Sequence, residues 1–257
     1  MILVRLFHIY AILFTVYSVV FNLHLIYPIL IIGWIYHWLI GSIITHRYIT
    51  HRAFKVNKFT HNLFIGLSTL STLSSPLGWA STHILHHQYT DDKGDPHSPR
   101  FISYLKMLFV GFIYNAKKTR ETNLEFLLCN RYLINDVFLR WCHKHFYTIN
   151  VIFLSLLLLL TYVTPFNIFN WFAIITGYHL FGLSLTTYHL HKPGIFGNYV
   201  TYEGKGTSQN NWFLGLLTHG EAYHNNHHNN PCVISNAEKW YEFDLNRLLM
   251  KLIKNDL

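Results

Sequence analysis

The sequence predicts an all-α integral membrane protein in which four transmembrane helices form two hairpins beneath a helical cap. Hydrophobic residues make up 51% of the 257 residues and charged residues only 12%, about half the charged share of ordinary soluble domains. Four apolar runs approach the roughly 20 residues that a helix needs to cross a bilayer. Histidine clusters flank these runs. We therefore expect one domain, residues 1–257, with hairpins at about 6–44 and 149–188 and a cap at about 45–148 and 189–257.

The first hairpin consists of two apolar runs, residues 6–21 and 26–44, with a short polar break at residues 22–25. Because the break is so short, the second run is expected to return the chain to its starting side. A cleaved signal peptide is an alternative for the first run, but the chain start has one Arg and no clear cleavage site.

The first half of the cap contains apolar segments that we interpret as lying on the membrane surface. Residues 59–80 could cross the bilayer, but a crossing would separate the histidines that precede this segment from those that follow it. We therefore expect an interfacial helix there, and a second surface segment at residues 101–114. Residues 115–145 are polar and mixed, which indicates a folded region outside the bilayer.

The second hairpin consists of apolar runs at residues 149–163 and 168–187, separated by residues 164–167. Beyond it, residues 237–254 alternate apolar and charged side chains at helical spacing, which predicts an amphipathic tail helix.

The distribution of positive charge gives the expected orientation. The two far-side loops, residues 22–25 and 164–167, hold none of the 20 Lys and Arg residues. Positive charge in loops marks the cytoplasmic face, so both termini and the histidine clusters are expected to be cytoplasmic. The net charge of +8 does not indicate nucleic-acid binding, because the basic residues are scattered among apolar runs without a nucleic-acid motif. Anionic lipid headgroups are the expected partner of this charge.

Three histidine clusters have the spacing of metal ligands. The pattern H-x-x-H-H occurs twice, and chance would produce on the order of 0.1 copies in a chain with this histidine content. One helical turn directs three such imidazoles to one side, where they would crowd a single ion, so two ions are expected. The earlier pair is five residues apart, about 140° on a helical wheel, which fits two different ions or a helix end where the chain turns. The clusters are His46 and His51; His83, His86 and His87; and His224, His227 and His228.

The ligand type favours iron. Imidazole suits zinc, copper, nickel and iron, whereas a structural zinc needs only four ligands and has no redox chemistry. At a lipid surface, iron acting with dioxygen is the best explanation of so many histidines. Asp95 and Glu221 are expected to orient ring N–H groups from behind the ligands, whereas Asp91 and Asp92 fit this role or a solvated turn equally well. Three cysteines without C-x-x-C spacing indicate neither a disulfide framework nor a thiolate site.

These features together resemble the membrane fatty acid desaturases of the acyl-CoA desaturase type. The resemblance runs from about Ile26 to Leu257 and depends on three boxes: HRYITHR from His46, HILHHQYTDDKGDPHS from His83, and GEAYHNNHH from Gly220. Alkane and fatty acid hydroxylases, sterol oxidases and carotenoid oxygenases share the general pattern. The Asp-Pro-His after the second box and the Gly-Glu before the third favour the desaturase branch.

The resemblance implies a di-iron centre held by about nine histidines, next to a narrow tunnel for an acyl chain. The eight histidines of the clusters carry over directly, and His189 is the best match for the ninth, with His191 as its rival. Two departures from the family pattern are visible. Leu185, beside Ser184, stands where the family has Asn, and PRFISYLKML follows His97 in place of a Gly-rich stretch. We expect His97 to lie in a loop or behind the ligands.

The implied reaction is insertion of a cis double bond into a long fatty acyl group, carried on coenzyme A or a lipid, with dioxygen as co-substrate. Because the sequence has no haem-domain pattern, the two electrons are expected from a separate donor such as a ferredoxin or cytochrome b5. A hydroxylase on the same di-iron scaffold is the main alternative. A non-catalytic metal-binding membrane protein or transporter is less favoured, because a transporter would place metal-binding residues inside the spans.

Overall fold

A computed structural model describes residues 1–96, 98–109, 131–192, 194–204 and 206–248 of the chain. His97, residues 110–130 and the end of the tail, on which several predictions fall, lie outside this description. The described helices are α1 (Ile2–Tyr36), a π-helix (His37–Thr50), α2 (Lys58–Leu70), α3 (Pro76–Tyr89), α4 (Arg131–Asn135), α5 (Val137–Val163), α6 (Ile168–His189), α7 (Trp212–Leu217) and α8 (His224–Asn229). Strands β1 (Asn198–Tyr199) and β2 (Asn210–Asn211) pair antiparallel.

Among the described residues, three helical stretches are long and apolar enough to cross a membrane: Ile2–Thr50, Val137–Val163 and Ile168–His189. The predicted helical, membrane-embedded character is therefore confirmed. The two apolar runs expected at residues 6–21 and 26–44 belong to a single stretch, which continues into the π-helix. Its backbone angles become non-helical at Asn22, with φ −135° and ψ 26°.

Helix α1 is sharply bent at Asn22. The rings of Phe7 and Tyr36 both lie against Phe172 of α6, with ring centroids 5.8 and 6.3 Å from it. A straight helix would hold Phe7 and Tyr36 roughly 40 Å apart. Both halves of α1 therefore pack against the same part of α6.

Close packing between these helices depends on a glycine. A Cβ atom at Gly177 of α6 would overlap the side chain of Thr15 and lie 2.7 Å from the carbonyl oxygen of Ala11. Small residues at such contacts let membrane helices approach closely. Helix α5 packs beside α6, where Phe153 meets Phe172 edge-on at 5.3 Å.

The segments predicted to form the cap differ from the sequence prediction in two places. The single interfacial helix expected at residues 59–80 is two helices, because Pro76 starts α3 at its first position and the Ser75 side chain caps it by accepting from the Gly78 N–H. The predicted tail helix at 237–254 is also wrong within the described residues, which are helical only at 246–248.

Two buried carboxylates explain why the tail is not helical. Glu242 accepts the backbone N–H groups of Glu238 and Lys239 at 2.5 and 2.9 Å. Asp244 accepts those of Asn236 and Asn246 at 2.7 and 2.8 Å. Such local side-chain bonds compete with helical hydrogen bonds, so the segment folds as turns against the cap.

Candidate metal centre

Nine histidines from separate parts of the chain converge in two neighbouring groups. In each group, one ring nitrogen of every member lies within 4.8 Å of those of the others. The five-histidine group consists of His46, His51, His83, His87 and His227. The four-histidine group consists of His86, His191, His224 and His228. The eight histidines of the sequence clusters are all included.

The π-helix explains why His46 and His51 share one group. On an α-helical wheel they diverge by about 140°, which suggested separate ions or a helix end. Here the backbone N–H of His51 bonds the carbonyl of His46 at 3.1 Å, the five-residue spacing of a π-helix. Residues five apart then stand roughly one turn apart and face the same way. Long π-helices are rare, and π-turns occur frequently at functional sites.

Each H-x-x-H-H box contributes to both groups. On α3, the Nε2 atoms of His83 and His87 are 3.1 Å apart within the five-histidine group, while His86 belongs to the other group. On α8, the Nε2 atoms of His224 and His228 are 3.1 Å apart within the four-histidine group. In both boxes, residues four apart stay on one helix face, and the remaining histidine reaches the second group.

Carboxylates behind the groups determine which ring nitrogens face inward. Glu221 accepts from Nδ1 of His46 at 2.7 Å, and Asp95 accepts from Nδ1 of His86 at 2.9 Å. An ionised carboxylate can only accept, so Nδ1 carries the proton in each neutral ring and Nε2 presents a lone pair. Both sequence-predicted carboxylates are therefore in contact with cluster histidines.

The spacing of the inward nitrogens suits metal ions. Nε2 of His46 lies 3.0 Å from Nε2 of His227, and Nε2 of His87 lies 2.9 Å from the same atom. Ligands about 2.1 Å from an ion and at right angles to each other are separated by about 3.0 Å. The buried Nε2 atoms of His51 and His191 have no hydrogen-bond partner in the described structure. The donor set thus fits two ions.

The electrostatics also suit metal binding. Burial, together with the neighbouring imidazoles, lowers the pKa values of His224, His227 and His228 well below the usual value. These rings are therefore neutral at pH 7, the form that binds metals. Burial alone would raise the pKa of Glu221, but Arg47, His46 and the Ser42 hydroxyl hold it well below its usual range. The resulting carboxylate can offset the charge of the ions.

The structure does not place His189, the predicted ninth histidine, in either group; His191 occupies that place. His189 is the last residue of α6, and its ring packs 5.5 Å from Tyr104 and 5.3 Å from Tyr188. The chain leaves the helix after His189, and this turn directs the His191 ring inward, where it is 2% exposed. A hydrogen bond from the Thr207 hydroxyl to the His191 carbonyl, 2.6 Å, holds the turn.

Asp91 is a site residue that the sequence left undecided. Burial alone would raise its pKa, but hydrogen bonds and charge interaction with His191, together with Ser98 and Thr207, lower it. Its carboxylate lies 2.9 Å from Nδ1 of His191 and 2.7 Å from the Ser98 hydroxyl. Asp92 is exposed, as a solvated turn requires. In the sequence, the feature that could have identified Asp91 as a site residue was its position shortly after the second histidine box.

Arg47 was missed, although it lies inside the first box. Its side chain is fully buried and contacts Glu221 at 2.8 Å and the amide oxygen of Asn236 at 3.1 Å. Arg47 thus connects the π-helix to Asn236 at the start of the tail and also holds the carboxylate that contacts His46.

A largely apolar cavity lies beside both groups; its empty volume is about 730 Å³ when the solvent space at its opening is included. Leu73, Trp79 and Leu183 contribute apolar lining. The histidines of the two groups that reach its wall are His46, His83, His86 and His224. An extended apolar molecule in this cavity would therefore lie against both predicted metal positions.

Comparison with known proteins gives a consistent family assignment. A family model described as fatty acid desaturase matches residues 5–248. Delta-9 acyl-lipid desaturase 1 from Arabidopsis thaliana is 29% identical over 216 residues, covering 81% of this chain and 66% of that protein. Acyl-CoA C20 Delta5-desaturase from Anemone leveillei is 31% identical over 215 residues, covering 81% and 64%. The sn-1 stearoyl-lipid 9-desaturase from Anabaena variabilis is 28% identical over 228 residues, covering 85% and 78%.

The chain spans slightly less than two thirds of the length of the two plant relatives. The matched region of the family model nevertheless extends over nearly all of the chain and contains both histidine groups. On this basis, the chain belongs to the fatty acid desaturase family.

Proposed function

We propose that this protein inserts a cis double bond into a long-chain fatty acyl group at a di-iron centre. The observation that carries the proposal is the position of two histidine groups on the wall of one largely apolar cavity. The names of the relatives agree, since they are acyl-lipid and acyl-CoA desaturases. The same cavity geometry serves either carrier, because only the acyl chain has to reach the histidines.

The nine histidines would hold two iron ions, five on one and four on the other. Bound iron would activate dioxygen. In the overall reaction, two hydrogen atoms from adjacent methylenes, two electrons from a donor and two protons would reduce one dioxygen molecule to two water molecules, and a double bond would remain in the acyl chain. Glu221, Asp95 and Asp91 keep the Nδ1 protons of His46, His86 and His191 in place. This fixes the lone pairs of Nε2 towards the ions and raises the basicity of the ligands.

The cavity wall would hold the acyl chain and keep water out. Its hydroxyl side chains mostly bond to nearby backbone carbonyls, as Thr45 does to Ile40 at 2.6 Å and Thr187 to Leu183 at 2.9 Å. These hydroxyl groups therefore leave few hydrogen-bonding groups without a partner on the surface that a methylene chain would contact. Water exclusion would protect the oxidising centre from side reactions.

In the membrane, we infer four crossings, with the chain reversing at Asn22 and at residues 164–167. The bend of α1 supports the first reversal, since Phe7 and Tyr36 both contact Phe172. Neither reversal holds Lys or Arg, so the charge distribution favours a cytoplasmic position for the termini, the cap and the histidine groups.

A separate ferredoxin or cytochrome b5 would deliver the two electrons to the cap. Arg52, which ends the first histidine box, and Lys55 and Lys58, which follow it, are exposed. Positive charge close to the centre would attract an acidic electron carrier and speed its association.

The test is expression in a host with a defined fatty acid composition, followed by lipid analysis and iron determination on the purified protein. We expect about two irons per chain and new monounsaturated chains. His86→Ala should abolish the new double bonds, whereas His24→Ala, at an exposed position in the far-side break, should leave them unchanged.

Other outcomes would replace the proposal. Hydroxylated fatty acids in place of unsaturated ones would assign the hydroxylase reaction. Iron-loaded protein that changes no lipid, even with a reductant and donor supplied, would indicate a metal-binding protein without this activity.

A further inference from the structure

A second set of buried imidazoles lies outside the two histidine groups, with two of its three members on helices long enough to cross a membrane. His37 begins the π-helix, His179 lies on α6, and His219 precedes the third box. The ring of His37 is 4.6 Å from that of His179 and 5.6 Å from that of His219. Exposure of the three side chains is between 0 and 4%. In the part of the chain that the structure describes, they do not form a third group with metal-ligand spacing.

All three imidazoles have unsatisfied polar atoms. In the described structure, neither ring nitrogen of His37 or of His219 has a hydrogen-bond partner, and Nδ1 of His179 also has none. Of the three rings, those of His37 and His179 line the cavity described above. A buried polar atom without a partner costs about 1–3 kcal/mol. Ionisable side chains within membrane spans are rare and usually functional, so these atoms point to a ligand.

A glycine makes room for the rings. A Cβ at Gly41 would lie 2.8 Å from Nε2 of His179 and 3.3 Å from Nδ1 of His37. The backbone of the π-helix therefore approaches both rings closely at Gly41, and the polar pair is part of the packing between the π-helix and α6.

Both rings line the cavity assigned above to the acyl chain. The hydroxyl side chains of that wall differ from them, because Thr45, Ser71 and Thr187 donate to backbone carbonyls. Among the described residues, no Lys or Arg side chain lines the cavity, whereas Glu221 does, which disfavours a carboxylate or phosphate ligand. A neutral imidazole has one donor and one acceptor, and a hydroxyl group matches this pair.

We propose that His37 and His179 form a polar subsite that binds a hydroxyl group carried within the acyl chain. The substrate class would then be oxygenated, hydroxyl-bearing acyl chains, and the inference rests on the proposed function only in assigning the cavity to an acyl chain. The hydroxyl would satisfy imidazole nitrogens that an unsubstituted chain leaves without a partner.

The test is competition binding with the full-length, iron-loaded protein in lipid nanodiscs. A fluorescent acyl probe is displaced by octadecanoyl-CoA or by octadecanoyl-CoA bearing one hydroxyl, scanned along the distal half of the chain. At the matching position, we expect about five- to tenfold tighter binding, the gain from roughly one net hydrogen bond. His37→Leu and His179→Leu should each remove most of this preference, and His37→Gln should retain part of it.

His8→Leu is the matched control. His8 is also an imidazole on a membrane helix, but it bonds the Thr72 hydroxyl at 3.3 Å and does not line the cavity. This variant should keep the hydroxyl preference, and iron content and melting temperature report whether each variant folds.

The inference is overturned if no hydroxyl position binds more tightly than the unsubstituted chain, or if the preference survives both Leu variants. Should the Leu variants not fold, the positional series on the unaltered protein decides. Failure of the proposed function would be seen in a different experiment. Cells expressing the protein would then contain no new double bonds, while the binding assay could still show the preference for a hydroxyl-bearing chain.

Discussion

At the scale of single residues, the site depends on a few carboxylate–histidine pairs. Glu221 is the most connected of these carboxylates, since it contacts His46, Arg47 and Ser42. Asp91 serves His191 in the same way. Removal of a carboxylate that hydrogen-bonds a metal-ligating histidine typically lowers metal affinity 10–100-fold, so we expect removal of either acid to weaken metal binding to this extent.

The ninth ligand can be tested by comparing two neighbouring histidines. His191→Ala removes an inward-facing ring of the four-histidine group, so we expect iron content to fall from about two towards one per chain. His189→Ala removes a ring that packs against Tyr104 and Tyr188, and both irons should remain. Iron determination by plasma mass spectrometry on the two purified variants measures this. Equal retention in both variants would contradict the assignment of His191.

Replacing Glu221 should destabilise the fold. Glu221→Gln leaves the fully buried Arg47 without its counter-charge, and breaking a buried pair in this way costs about 3–5 kcal/mol. Glu203→Gln, at an exposed position, is the matched control and should be nearly neutral. Chemical unfolding in detergent, followed by circular dichroism, compares the two.

The same carboxylate predicts a pH dependence. The folded-state pKa of Glu221 lies well below the ordinary value of 4.5. Its contribution to stability is therefore complete above about pH 4.5 and is lost as the pH falls towards the folded-state pKa. Unfolding titrations should show less loss of stability in Glu221→Gln than in the unaltered protein over this acidic range. Parallel curves for the two proteins would refute the role given to Glu221.

At the scale of elements, the π-helix and the α1–α6 contact decide the geometry. The π-helix places His46 and His51 in one group, which an α-helix with the same spacing would not do. The α1–α6 contact brings the N-terminal helix against the helix that leads to His191.

The α1–α6 contact can be tested at Gly177. Gly177→Ala would force the new methyl group against Thr15 and Ala11, and overpacking of this kind costs about 1–3 kcal/mol. Gly66→Ala on α2 has open space around the added Cβ, so it should be neutral or stabilising by up to about 1 kcal/mol. Melting temperatures of the two variants in detergent should move in opposite directions, or only that of Gly177→Ala should fall. A larger fall for Gly66→Ala would argue against the close α1–α6 packing.

At the scale of the whole molecule, the orientation in the bilayer decides whether one site can collect all nine histidines. Cys232 lies near the third box and is exposed, whereas Cys142 on α5 is buried. Residue 167 is the last residue of the break between α5 and α6, on the side proposed to face away from the cytoplasm.

Thiol labelling tests this orientation. In a Cys129→Ser background, a membrane-impermeant maleimide applied to intact cells should label Asn167→Cys and leave Cys232 unmodified. Permeabilised cells should show labelling of Cys232, with Cys142 still protected by the fold. Labelling of both positions from the same side of the membrane would contradict the four-crossing arrangement.

Many residues of the site could be predicted from local sequence, because the motifs that identify them are short. The boxes at His83 and His224 need only one helical turn to direct their imidazoles, and the three boxes together predicted the family correctly. The tail was misread for the same reason: its apolar spacing predicts a helix, but Glu242 and Asp244 take backbone N–H groups that a helix would use.

By itself, the sequence determined the family, the membrane-embedded helical character and the identity of eight clustered histidines, because hydrophobic runs and turn-length spacings are local properties. Only the tertiary structure showed that His191 rather than His189 joins a histidine group, that Asp91 is buried behind His191, and that His37 and His179 share a cavity. These features depend on where the chain turns after a helix ends and on which residues meet across more than a hundred positions. No local sequence pattern predicts such contacts, because they arise from the packing of whole helices.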